Sequence, residues 1–417
     1  MTVNTPQPTP GPDPAPAPAH EIALPGAVRA RLEQATPSVL VDTRALARVR
    51  ERFDTEQAQT LGRYLASAQS PNTLRAYRAD WTSFTAWCLA QERQSLPADP
   101  VDVAVYLAAC AQERTPDDTG WALAPSSIER RAAAIAAVHG AHGLDSPTRA
   151  EVVRMTLRGI RRTRRARPRR KEPVVLPVLE ALLAVRPGPE HPHGVARRRD
   201  TLLLLTGFGG ALRRSELAAL TFDDLTLHTD PATGAPALVV ALGATKTDQE
   251  GRHGQRVALP RGRHRHTCPV CAYADWAALV ETHRAGGEEA VAALLEHPRP
   301  EGSLAHLCQG WPGTDLADGS ERPLLPAVDR HGHIGSRPMS GRAVGELVKR
   351  YARRAGLDPD DFGGHSLRAG FATQAALGGA SDREIMRQGR WTNPRTVHDY
   401  IRTANPLEDN AVTRLGL

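Results

Sequence analysis

The stretch between residues 363 and 401 places the strongest constraint on how this chain folds, because several chemically specific side chains fall in one short segment. His365 and Arg368 are three residues apart, so on a helix both side chains lie over the same turn and can reach one ligand. An imidazole and a guanidinium directed at one point favour an anion. An isolated histidine and arginine at this spacing are also common on a solvated helix face, so their meaning depends on the rest of the stretch.

The end of this stretch predicts a short helix that carries a tyrosine. Asn393 offers a capping side chain, and Pro394 lacks the amide hydrogen that a first helical turn leaves unused. Tyr400 then lies about two turns along. An HxxR turn, then Trp391, then Tyr400 resembles the second active-site box of the tyrosine recombinases, the phage integrase family. The Gly-His-Ser-x-Arg-x-Gly, Trp-Thr-Asn and Tyr-Ile-Arg segments are most similar to the Cre-type branch.

A second segment resembles the first active-site box of the same family. An apolar helix runs into a glycine-rich turn, which leads to Leu-Arg213-Arg-Ser-Glu216-Leu. The resemblance implies that Arg213 binds the scissile phosphate and that Glu216, one turn along the same face, supports it. Arg214 competes for the role because it is adjacent, and the Leu-Arg-x-x-Glu-Leu order favours Arg213. Without the second box, an amphipathic helix with a surface ion pair would explain the same residues.

Lys246 is singled out by composition as well as by resemblance. The chain has 53 basic residues, and only three of them are lysines. A lysine can give up a proton and an arginine effectively cannot, so a lysine in such a chain indicates a role that arginine cannot fill. Apolar runs at residues 237–242 and 255–259 predict a β-hairpin. Lys246 lies where the first strand enters the turn, which is where the family places its catalytic lysine.

The resemblance implies a catalytic mechanism without metal, nucleotide or other cofactor. The implied catalytic residues are Arg213, Lys246, His365, Arg368, Trp391 and Tyr400. Tyr400 would attack a DNA phosphodiester to form a 3′-phosphotyrosyl intermediate and a free 5′-hydroxyl. Arg213 and Arg368 would neutralise the charge on the non-bridging oxygens, since guanidiniums bind phosphate through two N–H groups and stay protonated. His365 and Trp391 would complete the cage, and Lys246 would protonate the departing 5′-oxygen.

The N-terminal part of the chain predicts a tail followed by a helical bundle. Residues 1–40 include a tract of proline and alanine that cannot bury a core, and we predict a disordered tail. Residues 41–160 predict four or five short helices with apolar stripes, in which Val101, Val105 and Met155 face inward. This bundle is similar to the core-binding, DNA-binding domain of the recombinases.

A basic linker, residues 161–173, joins the bundle to the predicted catalytic domain, residues 174–417. The arginines that we expect to bind DNA are Arg161, Arg162, Arg164, Arg165, Arg167, Arg169 and Arg170. Such a cluster neutralises several phosphates and releases their counterions, whereas a flexible solvated linker is the alternative. The fold class is therefore predicted as mainly α with a small β-sheet or hairpin, an α+β protein.

The segment at residues 261–340 contains cysteines and histidines whose role the sequence leaves open. They are His264, His266, Cys268, Cys271, His306 and Cys308. A CxxC pair with histidine nearby permits a zinc site, but the second half lacks firm ligand spacing. Thr267-Cys-Pro-Val also resembles a family segment that simply begins a helix. We therefore predict no metal.

Composition and resemblance together predict the partners and the compartment. Five cysteines, an odd number in a long chain, argue against a disulfide framework and for a reducing cytoplasm. No apolar run approaches membrane-spanning length. We expect a soluble, cytoplasmic, nucleoid-associated protein that binds double-stranded DNA at specific recombination sites and no membrane. The resemblance implies a homotetramer on paired sites, because strand exchange joins two duplexes.

Three other functions are compatible with parts of the sequence. A type IB topoisomerase shares the tyrosine, arginine and lysine chemistry but acts alone and needs no specific site. A DNA-binding relative without catalysis is disfavoured, because Tyr400, both arginines and Lys246 are all present. A metal-dependent nuclease depends on Asp223, Asp224 and the acidic residues at 358–361, which lie in turn-like contexts without paired ligand motifs.

Overall fold

The fold is described from a computed structural model of the chain. The structure describes residues 54, 56–57, 60, 64, 70–164, 171–243, 254–297, 305–400 and 412. The chain divides into two compact units, residues 1–168 and 169–417, with the boundary inside the segment predicted as a linker. The predicted disordered tail lies outside the described residues. Within the described ranges, no helix is both long enough and apolar enough to cross a membrane.

The N-terminal unit encloses an apolar core between helices. From residue 70 onward these are α1 (Pro71–Ala90), α2 (Pro100–Gln112), α3 (Pro125–Ala141) and α4 (Glu151–Arg164). The first three begin with proline, whose missing N–H is not needed in a first turn. Ser70 caps α1, and its Oγ accepts from the Thr73 N–H at 3.2 Å. Phe84 and Tyr106 pack in the core with ring centroids 5.0 Å apart, which joins α1 to α2.

Three side chains predicted to face this core point outward instead. Val101 and Val105 on α2 are 57% and 52% exposed, and Met155 on α4 is 59% exposed. Helix α2 instead buries Val103 and Leu107, which are also four residues apart but lie on the opposite face of the helix from Val101 and Val105. Because α2 is apolar almost all round, steps of three and four residues fit more than one of its faces. Which face is buried depends on packing against α4 and α3.

The C-terminal unit combines helices with two small antiparallel sheets. Its helices are α5 (Leu176–Ala184), α6 (His193–Gly209), α7 (Arg214–Ala219), α8 (Pro269–Glu296), α9 (Gly341–Arg354), α10 (Ser366–Leu377), α11 (Asp382–Gly389) and α12 (Pro394–Tyr400). Its strands are β1 (Leu225–Thr229), β2 (Pro236–Ala241), β3 (Arg256–Pro260), β4 (Pro326–Val328) and β5 (Ile334–Pro338). The predicted α+β class, mainly helical with small sheets, is confirmed.

Strand β2 is the centre of the three-stranded sheet, with β1 and β3 antiparallel on either side. In this register Val240 lies opposite Leu225 on β1 and Val257 on β3, and all three are buried. The predicted β2–β3 pairing is confirmed, whereas β1 was not predicted because only one of its five residues is fully buried. Lys246 lies in the connection between β2 and β3, at residues 244–253, outside the described residues.

Helix α6 is the central helix of this unit because its apolar run is buried on every side. Leu202, Leu203 and Leu204 are each 0% exposed. Helix α8 packs along it, and α10 crosses it nearer its end. The Asp200 carboxylate on α6 accepts from the Tyr351 hydroxyl at 2.6 Å, which ties α9 to the same core. Helix α6 therefore fixes the turn that follows it, where the first sequence box begins.

The chain enters this unit alongside α10, the helix of the second box. The Val174 N–H donates to the Ser366 carbonyl at 2.9 Å, and the Leu176 N–H donates to the Gln374 side-chain oxygen at 2.9 Å. Gly370 makes this approach possible, because a Cβ at that position would overlap the Val174 carbonyl. The entering chain therefore holds α10 both at its first residue, Ser366, and near its end, at Gln374.

Candidate active site

The two sequence boxes meet at the turn between α6 and α7. The turn's first three carbonyls, at residues 209–211, each accept from one side chain of the second box: Gln388 donates to Gly209 at 2.9 Å, Arg390 to Gly210 at 3.2 Å, and Arg368 to Ala211. Ala211 takes a left-handed conformation with φ 47°. Segments more than 150 residues apart in the sequence are therefore joined through the backbone immediately before Arg213.

Arg368 is held by an aromatic face as well as by a carbonyl. Its side chain is among the largest fully enclosed ones, with 2% exposed, and its guanidinium carbon lies 4.1 Å from the Trp391 ring centroid. A cation over an indole face is attracted by the ring's electron density, and desolvation strengthens this attraction. Gly389 makes room for the ring, since a Cβ there would overlap the indole. Trp391 therefore orients Arg368.

Glu216 bridges two arginines from different boxes. Its Oε2 lies 2.7 Å from Nη2 of Arg390 and accepts from the backbone N–H of Arg213 at 2.9 Å, and its Oε1 pairs with the Arg213 guanidinium. Burial alone would raise the pKa of Glu216, but the charge of Arg390 and the hydrogen bonds from Arg213 lower it overall. An ionised, buried carboxylate thus fixes the orientation of Arg213.

Arg390 is a site residue that sequence reasoning missed. It caps α11 in the left-handed conformation, with φ 56° and ψ 45°, a region that costs a non-glycine residue about 1–2 kcal/mol. Its bonds to Glu216 and Gly210 offset that cost. In the sequence it is simply one of many arginines, next to Trp391, and no spacing rule marks it. The contact with Glu216 is visible only in three dimensions.

The structure distinguishes Arg213 from Arg214, its neighbour in the sequence. Arg214 is exposed, and its stem lies beside Gly364, where an added Cβ would be 3.0 Å from the Arg214 Cβ. Of these two neighbours, Arg213 is the one that the backbone and side-chain contacts described above join to Glu216. These contacts favour Arg213 as the phosphate ligand of the pair.

His365 is exposed and lies three residues before the buried Arg368 at the start of α10. It is the N-cap residue of α10, with φ −84° and ψ −17°, and it is exposed. The turn that contains it is closed by the Gly363 N–H, which donates to the Ser366 hydroxyl at 3.0 Å. His365 and Arg368 therefore occupy the first turn of one helix, as the HxxR spacing predicts.

The last described helix carries Tyr400 at its C-terminal end. Asn393 caps α12 by accepting from the Arg395 N–H at 2.9 Å, and Val397 is fully buried. His398 Nε2 lies 2.7 Å from the Asp382 carboxylate, which links α12 to α11. The structure thus places the backbone of Tyr400 on a helix attached to the second box.

The linker arginines differ in their exposure and in the contacts that they make. Arg161 is exposed and pairs with Glu129 at 3.4 Å, and Arg162 is exposed. Arg164 instead donates to the backbone carbonyls of Ala111 and Leu123, and its guanidinium carbon lies 4.2 Å from the Trp121 ring centroid. The others, Arg165, Arg167, Arg169 and Arg170, lie outside the described residues. Arg164 therefore joins parts of the N-terminal bundle, and its predicted contact with DNA stays a prediction.

Glu216 gives a stability prediction. Replacing Glu216 with Gln leaves the guanidiniums of Arg213 and Arg390 without their shared carboxylate. Breaking a buried pair in this way costs about 3–5 kcal/mol, and we expect a corresponding loss in unfolding free energy at neutral pH. Urea unfolding measures it. Glu346→Gln, an exposed carboxylate on α9, is the matched control and should change little.

The same variant should alter the pH dependence of stability. A carboxyl group whose pKa is lowered in the folded state stabilises it above the ordinary value of 4.5, and this contribution is lost as pH falls through the lowered pKa. Wild type should therefore lose part of its stability on acidification that the Glu216→Gln variant has already lost. An equal acid-induced decrease in both proteins would contradict the proposed charge on Glu216.

Comparisons with known proteins show which proteins the chain is similar to. The model of the phage integrase family matches residues 326–405. The "integrase/recombinase xerD homolog" of Selenomonas ruminantium is 30% identical over 356 residues, which cover 85% of this chain and 88% of that protein. Recombinase Cre of Escherichia phage P1 is 25% identical over 359 residues, 84% of this chain and 88% of that protein. A solved structure of the XerH site-specific recombinase in a post-cleavage complex with a palindromic difH substrate has a similar fold, with a TM-score of 0.52 and 15% identity over 93% of this chain and 94% of that one.

Proposed function

Because the chain belongs to the phage integrase family of tyrosine recombinases, a family of DNA breaking-and-rejoining enzymes, we propose that it cuts and rejoins DNA at specific sites through a covalent 3′-phosphotyrosyl intermediate. The observation that carries the proposal is the junction of the two boxes, where one turn and one carboxylate hold Arg213 next to the segment that carries Arg368.

Arg213 and Arg368 would bind the non-bridging oxygens of the scissile phosphate. Both guanidiniums are fixed before DNA binds, Arg213 by Glu216 and Arg368 by the Ala211 carbonyl and the Trp391 ring. Donors that are already oriented in a largely buried site stabilise developing charge without reorganising during the reaction. His365, exposed in the same first turn of α10, would add a hydrogen bond to the same phosphate.

Tyr400 is the best candidate nucleophile among the six tyrosines of the chain. Tyr106, Tyr273 and Tyr351 are buried, and burial raises the pKa of each phenol, which opposes formation of a phenolate. Tyr64 and Tyr77 belong to the N-terminal unit, which contains neither box. Tyr400 lies on the helix attached to α11, in the unit that holds both arginines.

In the proposed reaction the Tyr400 phenol loses its proton to the solvent, and its oxygen forms a bond to phosphorus as the bond between phosphorus and the 5′-oxygen breaks. The leaving oxygen takes the electron pair and a proton, which Lys246 would supply as general acid. Attack by the free 5′-hydroxyl on the phosphotyrosine reverses the step, so neither ATP nor water is consumed. Exchange between two duplexes then follows if the 5′-hydroxyl of one attacks the phosphotyrosine of the other.

The remaining proposals concern assembly and DNA binding. We propose that the N-terminal helical unit is the core-binding domain, that the linker follows the DNA backbone, and that four chains act on two paired sites. Association with the nucleoid would follow from DNA binding. The alternative of a topoisomerase differs in two respects, since that enzyme acts alone and relaxes DNA without a specific site.

A strand-exchange assay tests the proposed function. Two duplexes containing the DNA next to the protein's own gene should yield recombinant products in the presence of EDTA and without ATP. Scrambled duplexes of the same composition are the control and should yield none. Relaxation of any supercoiled plasmid without recombinant product would favour the topoisomerase. Binding without product, on DNA from both gene flanks, would favour a relative that has lost catalysis.

The linker gives a prediction about salt. Replacing Arg165, Arg167, Arg169 and Arg170 with Ser should make the dependence of log affinity on log salt shallower by about 3 to 4, at about 0.9 per phosphate contact. Titrations of labelled DNA across salt concentrations measure the slope. The control replaces four arginines that are exposed elsewhere and should leave the slope nearly unchanged: Arg93, Arg114, Arg284 and Arg330. Equal slopes in the wild type and the linker variant would contradict the proposal that the linker follows the DNA backbone.

A further inference from the structure

A compact cluster of three thiols and one imidazole lies in the C-terminal unit, among residues to which the proposed mechanism gives no role. It consists of Cys268, Cys271, His306 and Cys308, and one donor atom from each lies within 4.8 Å of every other. Cys271 Sγ is 3.3 Å from His306 Nδ1 and 3.5 Å from Cys308 Sγ, and the distance from Cys308 Sγ to His306 Nδ1 is 3.9 Å. The three cysteines are buried, with at most 3% exposed.

These distances match the edges of a tetrahedral metal site. With metal–sulfur bonds of 2.3 Å and metal–nitrogen bonds of about 2.05 Å, a tetrahedron has edges of about 3.8 Å between sulfurs and about 3.6 Å between sulfur and nitrogen. The two sulfur–nitrogen separations, 3.3 Å and 3.9 Å, lie on either side of the expected edge, and the sulfur–sulfur separation of 3.5 Å is slightly shorter than the expected edge. Four donor atoms at this spacing need only small side-chain rotations to surround one ion.

The backbone around Cys268 is arranged to stabilise a thiolate. The N–H groups of Gly262 and Cys271 both point at Cys268 Sγ, at 3.2 Å and 3.4 Å. Gly262 is needed for this approach, because a Cβ there would lie 2.8 Å from the Cys268 Cα. Two N–H groups directed at one sulfur stabilise its anionic form, which is the form that binds metal. This feature is independent of the clustering of the four side chains.

We propose that Cys268, Cys271, His306 and Cys308 bind one Zn²⁺ ion in a closed, structural site. Soft thiolates with one imidazole in tetrahedral arrangement select zinc among the common divalent ions. Four protein ligands leave no position for water or substrate, so the ion would stabilise the fold and take no part in strand cleavage. This inference goes beyond the proposed recombinase activity and replaces the expectation of no metal.

The ion would fasten the segment after residue 305 to the N-terminal half of α8. That segment already packs there, since Trp311 meets Tyr273 edge to face at 5.5 Å and the Thr314 hydroxyl donates to Glu281. Cys268 is the N-cap of α8, and Gly262 follows β3 closely. The site would therefore also brace the end of β3, the strand that leads out of the connection containing Lys246.

The histidines nearest in sequence provide internal controls. His264 and His266 are exposed and stack on each other, with ring centroids 5.7 Å apart, and neither belongs to the cluster. A zinc site built from the histidines nearest in sequence would lose its metal when His264 or His266 is replaced. The site proposed here depends on His306, which is 35 residues from Cys271 in sequence.

The first experiment measures zinc in the full-length wild-type chain. The protein is produced in zinc-supplemented medium and purified under reducing conditions. Its zinc content is then measured by inductively coupled plasma mass spectrometry. We expect about one zinc ion per chain. Replacing the metal with Co²⁺ should give the visible bands of a tetrahedral site together with sulfur-to-cobalt charge transfer. These wild-type readouts do not depend on whether any variant folds.

The second experiment compares variants within and outside the cluster. Cys308→Ser and His306→Ala should retain at least tenfold less zinc than wild type after dialysis against a chelator, whereas His306→Cys should retain it and strengthen the charge-transfer band. His266→Asn and Cys88→Ser, which lie outside the cluster, should retain zinc like wild type.

Three results would overturn the proposal. The first is a folded, reduced wild-type chain with neither zinc nor a tetrahedral cobalt spectrum. The second is a disulfide between two of these cysteines in the freshly purified protein. The third is zinc that is lost with His266→Asn and kept with His306→Ala.

Discussion

Tyr400→Phe is expected to abolish covalent attachment of the protein to DNA while leaving DNA affinity unchanged. The substitution removes one oxygen, and phenylalanine has no other nucleophilic atom. Wild type incubated with a nicked duplex that carries the target site should form an adduct resistant to SDS, because the small cleaved fragment diffuses away and religation stops. With Tyr400→Phe the adduct should fall below detection, and a mobility-shift titration should give the wild-type midpoint.

A matched tyrosine keeps this test specific. Tyr64 is 72% exposed and lies in the N-terminal unit, so Tyr64→Phe should form adduct at the wild-type rate. If the adduct persists in Tyr400→Phe, the nucleophile is another residue, and mass spectrometry of the DNA-linked peptide would identify it. Persistence would overturn the role of Tyr400 but would leave covalent catalysis intact.

The parts of the site that the sequence predicted are those with fixed local spacing. The HxxR turn, the proline-started helix of Tyr400 and the Leu-Arg-x-x-Glu-Leu order are each set within a few residues. Pairing of β2 with β3 is similarly local. Local chain geometry is encoded by neighbours, so a pattern of residues is enough to place such elements.

Other parts depend on contacts between distant segments, which spacing does not encode. The pairing of Arg390 with Glu216 crosses more than 170 residues, and the donation from Gln388 to Gly209 is similar. The buried face of α2 was predicted wrongly for the same reason, since an almost wholly apolar helix has its orientation chosen by its partners. His306 and Cys308 join Cys268 only when the chain folds back along α8.

Lys246→Arg should separate the proton-donating role of this lysine from its charge. Arginine keeps the positive charge but cannot release a proton, so cleavage of an ordinary phosphodiester should slow by about 10²–10⁴-fold. A substrate in which sulfur replaces the bridging 5′-oxygen has a leaving group of far lower pKa, since thiols ionise near 8.5. That group departs without a proton, and the variant should cleave it within about tenfold of the wild-type rate.

Lys349→Arg provides the control for this substitution. Lys349 lies on α9 with Nζ 3.6 Å from the Asp360 carboxylate, a contact that arginine can also make. This variant should cleave both substrates like wild type, because its lysine holds a charge and moves no proton. If Lys246→Arg cleaves the oxygen substrate normally, the lysine is not the general acid. If it is equally slow on the sulfur substrate, the lysine instead positions the DNA or the connection between β2 and β3, and the proton reaches the 5′-oxygen from another group.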